Sequence, residues 1–79
     1  MKEAYRNELR EKVKRLNHKI SFEMSEIKWN AQWLIDNITE PSRIIFNERG
    51  KKIQKSEERI KIYQATRDAI QQILVDTED

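Results

Sequence analysis

The chain has no cysteine, one glycine, one proline and one histidine among its 79 residues. Without cysteine it has neither disulfide bonds nor thiolate metal ligands, and one histidine cannot form a histidine-rich metal site. A single core of this size usually supplies only a few kcal/mol of net stability, so small folds depend on disulfides, metals or oligomers. Of these three sources of stability, self-association is the one that remains for this chain. We therefore expect one domain, residues 1–79, that forms a homodimer.

Long apolar runs are also missing, whereas charged residues are abundant. Charged side chains make up 38% of the chain, but the net charge is only +2. No apolar run approaches membrane-spanning length, and the first residues lack the apolar stretch of a secretory signal. We expect a cytoplasmic protein with no membrane partner. Frequent isoleucine, lysine and asparagine are typical of AT-rich genomes, such as those of low-GC bacteria and their phages; a viral protein would act in the host cytoplasm.

Residues 3–38 contain neither proline nor glycine and are predicted to form one long helix. Their apolar side chains recur at steps of three and four, as one face of a helix requires. The mean step of about 3.7 residues is close to an eleven-residue repeat, which predicts a coiled coil with little left-handed supercoil. This apolar stripe consists of Tyr5, Leu9, Val13, Leu16, Ile20, Met24, Ile27, Ala31, Leu34 and Ile38.

The segment 43–54 is predicted to be a short β-hairpin or an irregular connection. Pro41 ends the first helix, because the residue before a proline avoids the α region. Residues 43–46, Arg-Ile-Ile-Phe, favour a strand, and Gly50 suits the turn that follows. The alternative is a short helical segment from Pro41 to Arg49, with Gly50 as its C-cap.

A second helix is predicted over residues 57–76. Ser56 is a suitable N-cap, and the two glutamates that follow it are well placed for the helix dipole. The expected fold is therefore mainly α: an antiparallel helical hairpin with one long and one shorter helix.

The charges alternate in four blocks along the chain. Residues 1–19, 20–42, 43–61 and 62–79 have net charges of +4, −3, +4 and −3. An antiparallel hairpin places each basic block beside an acidic one, which disfavours a wrong register or orientation. This internal matching is favoured over nucleic-acid binding as the reason for the basic blocks, because charge runs on helices are usually solvated faces.

Unequal helix lengths would leave the start of the first helix uncovered. Tyr5, Leu9, Val13 and Leu16 continue the apolar stripe over this overhang, and an apolar stripe on a free helix must meet a partner. A second copy of the chain is the simplest candidate. If the second helix instead begins near Pro41, the lengths match and the overhang disappears.

The first helix also has a second apolar surface, the aromatic stripe, formed by Phe22, Trp29 and Trp33. These residues lie within roughly 40° of one another on a helical wheel, about 150° from the centre of the apolar stripe. One partner helix cannot cover both. A symmetric oligomer contact is the first candidate for covering the aromatic stripe, the 43–54 segment the second and a foreign protein the third, because Trp and Phe often anchor interfaces.

Recognisable catalytic and metal-binding arrangements are missing. The carboxylate pairs Asp36–Glu40 and Glu23–Glu26 have no histidine at matching spacing, and the serines lack an activating base. A single glycine excludes a Gly-rich phosphate loop. We expect no enzyme activity, no cofactor and no small-molecule substrate.

Two functions remain. The first is a self-associating protein–protein interaction module that regulates or inhibits a larger protein, as small phage or mobile-element proteins do. Its interface would comprise the aromatic stripe with Tyr5, Leu9, Val13 and Leu16. The alternative is nucleic-acid binding through a basic turn at 43–55 and the basic N-terminal helix. The basic residues of that turn are Arg43, Arg49, Lys51, Lys52 and Lys55.

Overall fold

The computed structural model describes residues 2–39 and 43–77, which form two α-helices. Helix α1 spans Glu3–Asp36 and helix α2 spans Arg43–Asp76, each 34 residues long. A helix of this length extends about 51 Å. The molecule is accordingly a rod, with extents of 60 × 14 × 13 Å.

The helices run antiparallel: as the residue numbers of the contacts increase along α1, the numbers of their partners decrease along α2. The polar contacts that fix this register are Arg6 with Thr77, Asn17 with Arg67, Glu23 with Arg59, and Asn30 with Arg49. The mainly α, antiparallel helical hairpin predicted from the sequence is thereby confirmed. The basic start of α1 lies beside the acidic end of α2, as the charge blocks indicate.

A seven-residue repeat defines the contact between the helices, which we call the seam. Its buried and half-buried positions alternate at spacings of three and four, as in a coiled coil. On α1 the seam consists of residues 6, 9, 13, 16, 20, 23, 27, 30 and 34, and Asn37 continues it just beyond the helix. On α2 it consists of residues 46, 49, 53, 56, 60, 63, 67, 70 and 74, and Thr77 continues it just beyond the helix.

Residues 43–54 are helical, so the predicted β-hairpin is wrong. The described part of the chain contains no strand, and Gly50 does not have a positive φ. Phe46, Arg49 and Ile53 continue the seven-residue spacing of α2, which places them against α1. Burial along the whole seam outweighs the weak strand preference of a few β-branched residues.

Helix α2 therefore begins at Arg43 and not at residue 57. Ser56, predicted as its N-cap, lies in the middle of the helix and is only 4% exposed. Helix α1 ends at Asp36, and the backbone N–H of Asn37 donates a hydrogen bond to the carbonyl of Trp33. Pro41, predicted to end the first helix, lies outside the described residues.

Both helices have the same length, so α1 has no overhang. Leu9, Val13 and Leu16 are seam residues that face α2. The structure thus agrees with the alternative in which the second helix begins close to Pro41. An overhanging stripe cannot be the reason for self-association.

The apolar stripe and the seam follow different periods. The stripe repeats every eleven residues and the seam every seven, so the stripe rotates gradually out of the contact. Tyr5, Met24 and Ile38 are consequently 51%, 58% and 75% exposed. The neighbouring positions that face α2 are instead occupied by polar residues, including Glu23 and Asn30.

Gly50 lies inside an exposed stretch of α2, where glycine is an unfavourable residue. A Cβ added there meets no atom within 4 Å. Packing within the hairpin therefore gives no reason for the glycine, since alanine would lose less backbone entropy in a helix.

Candidate interaction surfaces

Two faces of the hairpin flank the seam. On α1, residues 12, 19, 26 and 33 lie on one side of it, and residues 24 and 31 lie on the other, because these are the two rows beside the contact in a seven-residue repeat. The corresponding rows of α2 are residues 52, 59, 66 and 73, and residues 50, 57, 64 and 71. The two faces differ sharply in charge and shape.

The first face contains a continuous depression between the helices, which we call the basic groove. Three adjoining hollows form it: Lys19 lines the first and second, and Phe22 lines the second and third. From Lys12 to Asn30 the groove extends about 27 Å along the helix axis. Three cationic side chains from each helix line it: Lys12, Arg15, Lys19, Lys52, Lys55 and Arg59.

Most of these cations have no carboxylate partner. Arg59 Nη1 lies 3.4 Å from Glu23 Oε1, and Lys19 Nζ lies 5.6 Å from the centroid of the Tyr63 ring. The other four make no ion pair within the described residues. Among the residues that the structure describes, Glu23 and Glu26 are the carboxylates that line the groove. The groove therefore has a surplus of positive charge.

The aromatic stripe is divided between two environments. Phe22 and Trp29 are 61% and 70% exposed. Trp33 packs at the edge of the seam, with its ring 6.3 Å from that of Phe46 and 4.8 Å from the guanidinium carbon of Arg49. The hairpin therefore covers one member of the stripe and leaves the other two in solvent. Phe22 lies in the basic groove itself.

The opposite side, which we call the apolar face, comprises Met24, Ala31 and Ile35 of α1, Ile38 in the turn that follows α1, and Gly50 of α2. The three large side chains on it are more than half exposed. Ala31 and Gly50 lie on the same side because each follows a seam residue, Asn30 and Arg49, and those two residues are hydrogen-bonded. Its α1 side is thus a small-residue centre flanked by large apolar side chains, whereas the row of α2 beyond Gly50 is polar, with Glu57, Gln64 and Gln71.

The seam contains buried polar groups that weaken it as a core. The amide of Asn30 is satisfied: its Nδ2 donates to the Glu26 carbonyl, and its Oδ1 accepts from Arg49. Glu23 is 5% exposed, and its Oε2 has no hydrogen-bond partner among the described residues. Leaving a buried acceptor unpaired costs about 1–3 kcal/mol.

Arg6 joins the open ends of the helices. Its Nη1 donates to the carbonyl of Leu74 at 3.2 Å and to Oγ1 of Thr77 at 3.0 Å. The Leu74 carbonyl is in the last turn of α2, where carbonyls lack a partner within the helix. Arg6 therefore acts as a cap for α2, and not as part of a free basic arm.

The residues predicted to form a basic turn do not share one surface. Lys52 and Lys55 line the basic groove, whereas Arg49 lies in the seam. Arg43 and Lys51 are exposed at other positions of α2.

Sequence reasoning missed Lys12, Lys19 and Arg59 as members of one site. Lys12 and Lys19 are seven residues apart, as are Lys52 and Arg59, and this spacing is the signal that could have grouped them.

No group of three or more candidate metal ligands occurs among residues 2–39 and 43–77. Of the carboxylate pairs, Glu23 lies in the seam, and Glu40 falls outside the described residues. Within the described ranges, neither helix is apolar enough over a sufficient length to cross a membrane.

Comparison with protein-family models, curated proteins and solved structures finds no match to this chain.

Proposed function

We propose that the chain is a non-enzymatic protein–protein interaction module. Two hairpins associate as a homodimer in the cytoplasm, and the dimer regulates or inhibits a larger protein, in the manner of small phage or mobile-element regulators. Phe22 and Trp29 contact that protein, with Trp33 beside Trp29 and with Tyr5 as a separate contact roughly 25 Å from Phe22 along α1. The observation that carries the proposal is the imbalance between buried and exposed apolar side chains.

That imbalance is large for a folded domain. Leu9 and Ile20 are the buried apolar side chains of the described residues, at 5% and 6% exposure. Eleven large apolar side chains in the same part of the chain are more than two-fifths exposed. Single exposed apolar residues are ordinary, but contiguous apolar patches mark contact surfaces.

The exposed area supports the same proposal. The chain exposes 6360 Å², whereas a compact protein of its mass exposes about 5,100 Å². The excess is about 1,300 Å², comparable to the roughly 800 Å² that each partner contributes to a standard interface. The radius of gyration, 17.8 Å, also exceeds the roughly 12 Å of a compact domain of this length. A dimer of hairpins would reduce both the excess of exposed area and the excess of the radius of gyration.

The apolar face suits a two-fold contact. Met24, Ala31 and Ile35 lie on one side of α1, so a two-fold axis midway between Met24 and Ile35, close to Ala31, places Met24 of one copy against Ile35 of the other. Ala31 and Gly50 are small enough to let the helices approach closely at the centre. The product is a four-helix bundle, in which the apolar face becomes interior.

Size-exclusion chromatography with light scattering tests the proposal, because it measures the mass of the assembly in solution. A dimer has twice the chain mass of 9.6 kDa. We expect this doubled mass at micromolar concentration, the range at which standard-size interfaces are usually occupied. A chain that remains monomeric and fully helical at this concentration would show that the hairpin needs no second copy.

A further inference from the structure

We propose that the basic groove holds an acidic, amphipathic α-helix of the target protein. This inference rests on the proposed function and specifies the chemistry of the partner. A helix in the groove would complete a three-helix arrangement on each hairpin and leave the apolar face free for the dimer. Helix-in-groove binding of this kind is a common mode of recognition.

The length and floor of the groove fit one helix. At 1.5 Å per residue, its length of about 27 Å accommodates about 18 residues. Leu16, Tyr63 and Ile70 are half-buried along the floor, and Phe22 lies exposed at its middle. Ile62, one turn beyond Arg59, extends the exposed apolar surface on the α2 side. An amphipathic helix would cover these side chains with its apolar stripe.

The cations specify the flanks of that helix. Lys12, Arg15 and Lys19 belong to the α1 wall at the end near the chain termini. Lys52, Lys55 and Arg59 belong to the α2 wall at the end near the helix connection. The two clusters of positive charge therefore lie diagonally across the groove, one on the α1 wall at one end and the other on the α2 wall at the opposite end. A complementary helix has its carboxylates on one flank in its first half and on the other flank in its second half.

Rotating the groove by 180° about an axis perpendicular to its floor leaves this diagonal pattern of charges unchanged. A complementary helix can therefore lie in either direction and meet the same charges. A helix with the two acidic flanks exchanged meets them in neither direction. The arrangement consequently distinguishes two peptides of identical composition.

Two other occupants fit the groove less well. A second copy of the chain would bring another six cations into the contact with few carboxylates to balance them, so it would add repulsion. Nucleic acid would satisfy the cations, and Phe22 could stack on a base. It would not cover Ile62 or the apolar floor, because nucleic-acid interfaces are polar and strongly charged.

Three probes test the proposal on the full chain. The first is an 18-residue peptide, about the length of the groove, with leucine on its apolar face and glutamates in the diagonal pattern. The second has the same composition with the glutamate flanks exchanged. The third is a single-stranded oligothymidylate. Isothermal titration calorimetry measures binding, and light scattering on the same samples reports the dimer.

We expect the diagonal peptide to bind at least about tenfold more tightly than the exchanged peptide. Lys12→Glu with Lys55→Glu should remove that preference, whereas Lys14→Glu with Lys51→Glu, which reverses two lysines outside the groove lining, should retain it. Absence of a preference, or no binding of either peptide, would overturn the inference. Tighter binding of the oligothymidylate would overturn it in favour of nucleic acid. In each of these cases a persistent dimer leaves the proposed self-association standing.

Discussion

Placing charge on the apolar face should separate the two copies and unfold them together. In the variant Met24→Glu with Ile35→Glu, four glutamates enter one two-fold interface, two from each copy, where they are desolvated without partners. We expect the dissociation constant to rise at least about 100-fold, equivalent to about 2.7 kcal/mol. Because the isolated hairpin has little buried apolar surface, its far-ultraviolet helical signal should fall at the same concentration.

The control for this variant adds the same charges elsewhere. Ser25→Glu with Ala65→Glu places one glutamate on the exposed outer surface of each helix. It should remain dimeric and helical, since surface substitutions usually change stability by no more than about 0.5 kcal/mol. Equal dissociation of both variants would show that net charge, and not the apolar face, controls assembly.

Replacing Glu23 by leucine should stabilise the hairpin substantially. The carboxylate is buried, its Oε2 has no partner, and its one ion pair is to Arg59, whose side chain is 55% exposed and stays hydrated when the pair is lost. Removing an imperfectly paired buried charge in favour of apolar contact commonly adds about 1–4 kcal/mol. We expect Glu23→Leu to raise the thermal midpoint by several degrees, at about 4–8 °C per kcal/mol for a domain of this size.

Two matched variants identify the cause of that gain. Glu58→Leu changes an exposed glutamate of α2 and should leave the midpoint nearly unchanged. Glu23→Ala removes the charge without filling its volume, so it should gain less than leucine. A fall in the midpoint of Glu23→Leu would contradict the unpaired state of Oε2 and indicate that a second chain donates a hydrogen bond to it.

The sequence was sufficient for the helical hairpin but not for its contact surface. The uninterrupted stretch before Pro41 predicts α1, and the charge blocks predict its antiparallel partner. The segment 43–54 was assigned wrongly because Ile44, Ile45 and Gly50 favour strand and turn locally. Its helical state depends on seam positions such as Phe46 and Ile53, whose burial is visible only once α2 lies against α1.

The basic groove could not have been found from either helix alone. Lys12 and Lys19 belong to one helix and Lys52 and Arg59 to the other, and they meet only because the register brings them to one side of the seam. The apolar face has a similar origin. Met24, Ala31 and Ile38 read as core residues on a single helix, but the seven-residue seam leaves them beside the contact.

The dependence of the thermal midpoint on protein concentration tests most directly whether the fold requires a second copy. For a chain that folds as it dimerises, dilution shifts the equilibrium towards unfolded monomer. We expect the midpoint of the unmodified chain to rise steadily over a 100-fold increase in concentration, with the doubled mass found in the folded samples. A midpoint that stays constant over the same range, at the mass of a single chain, would contradict the account.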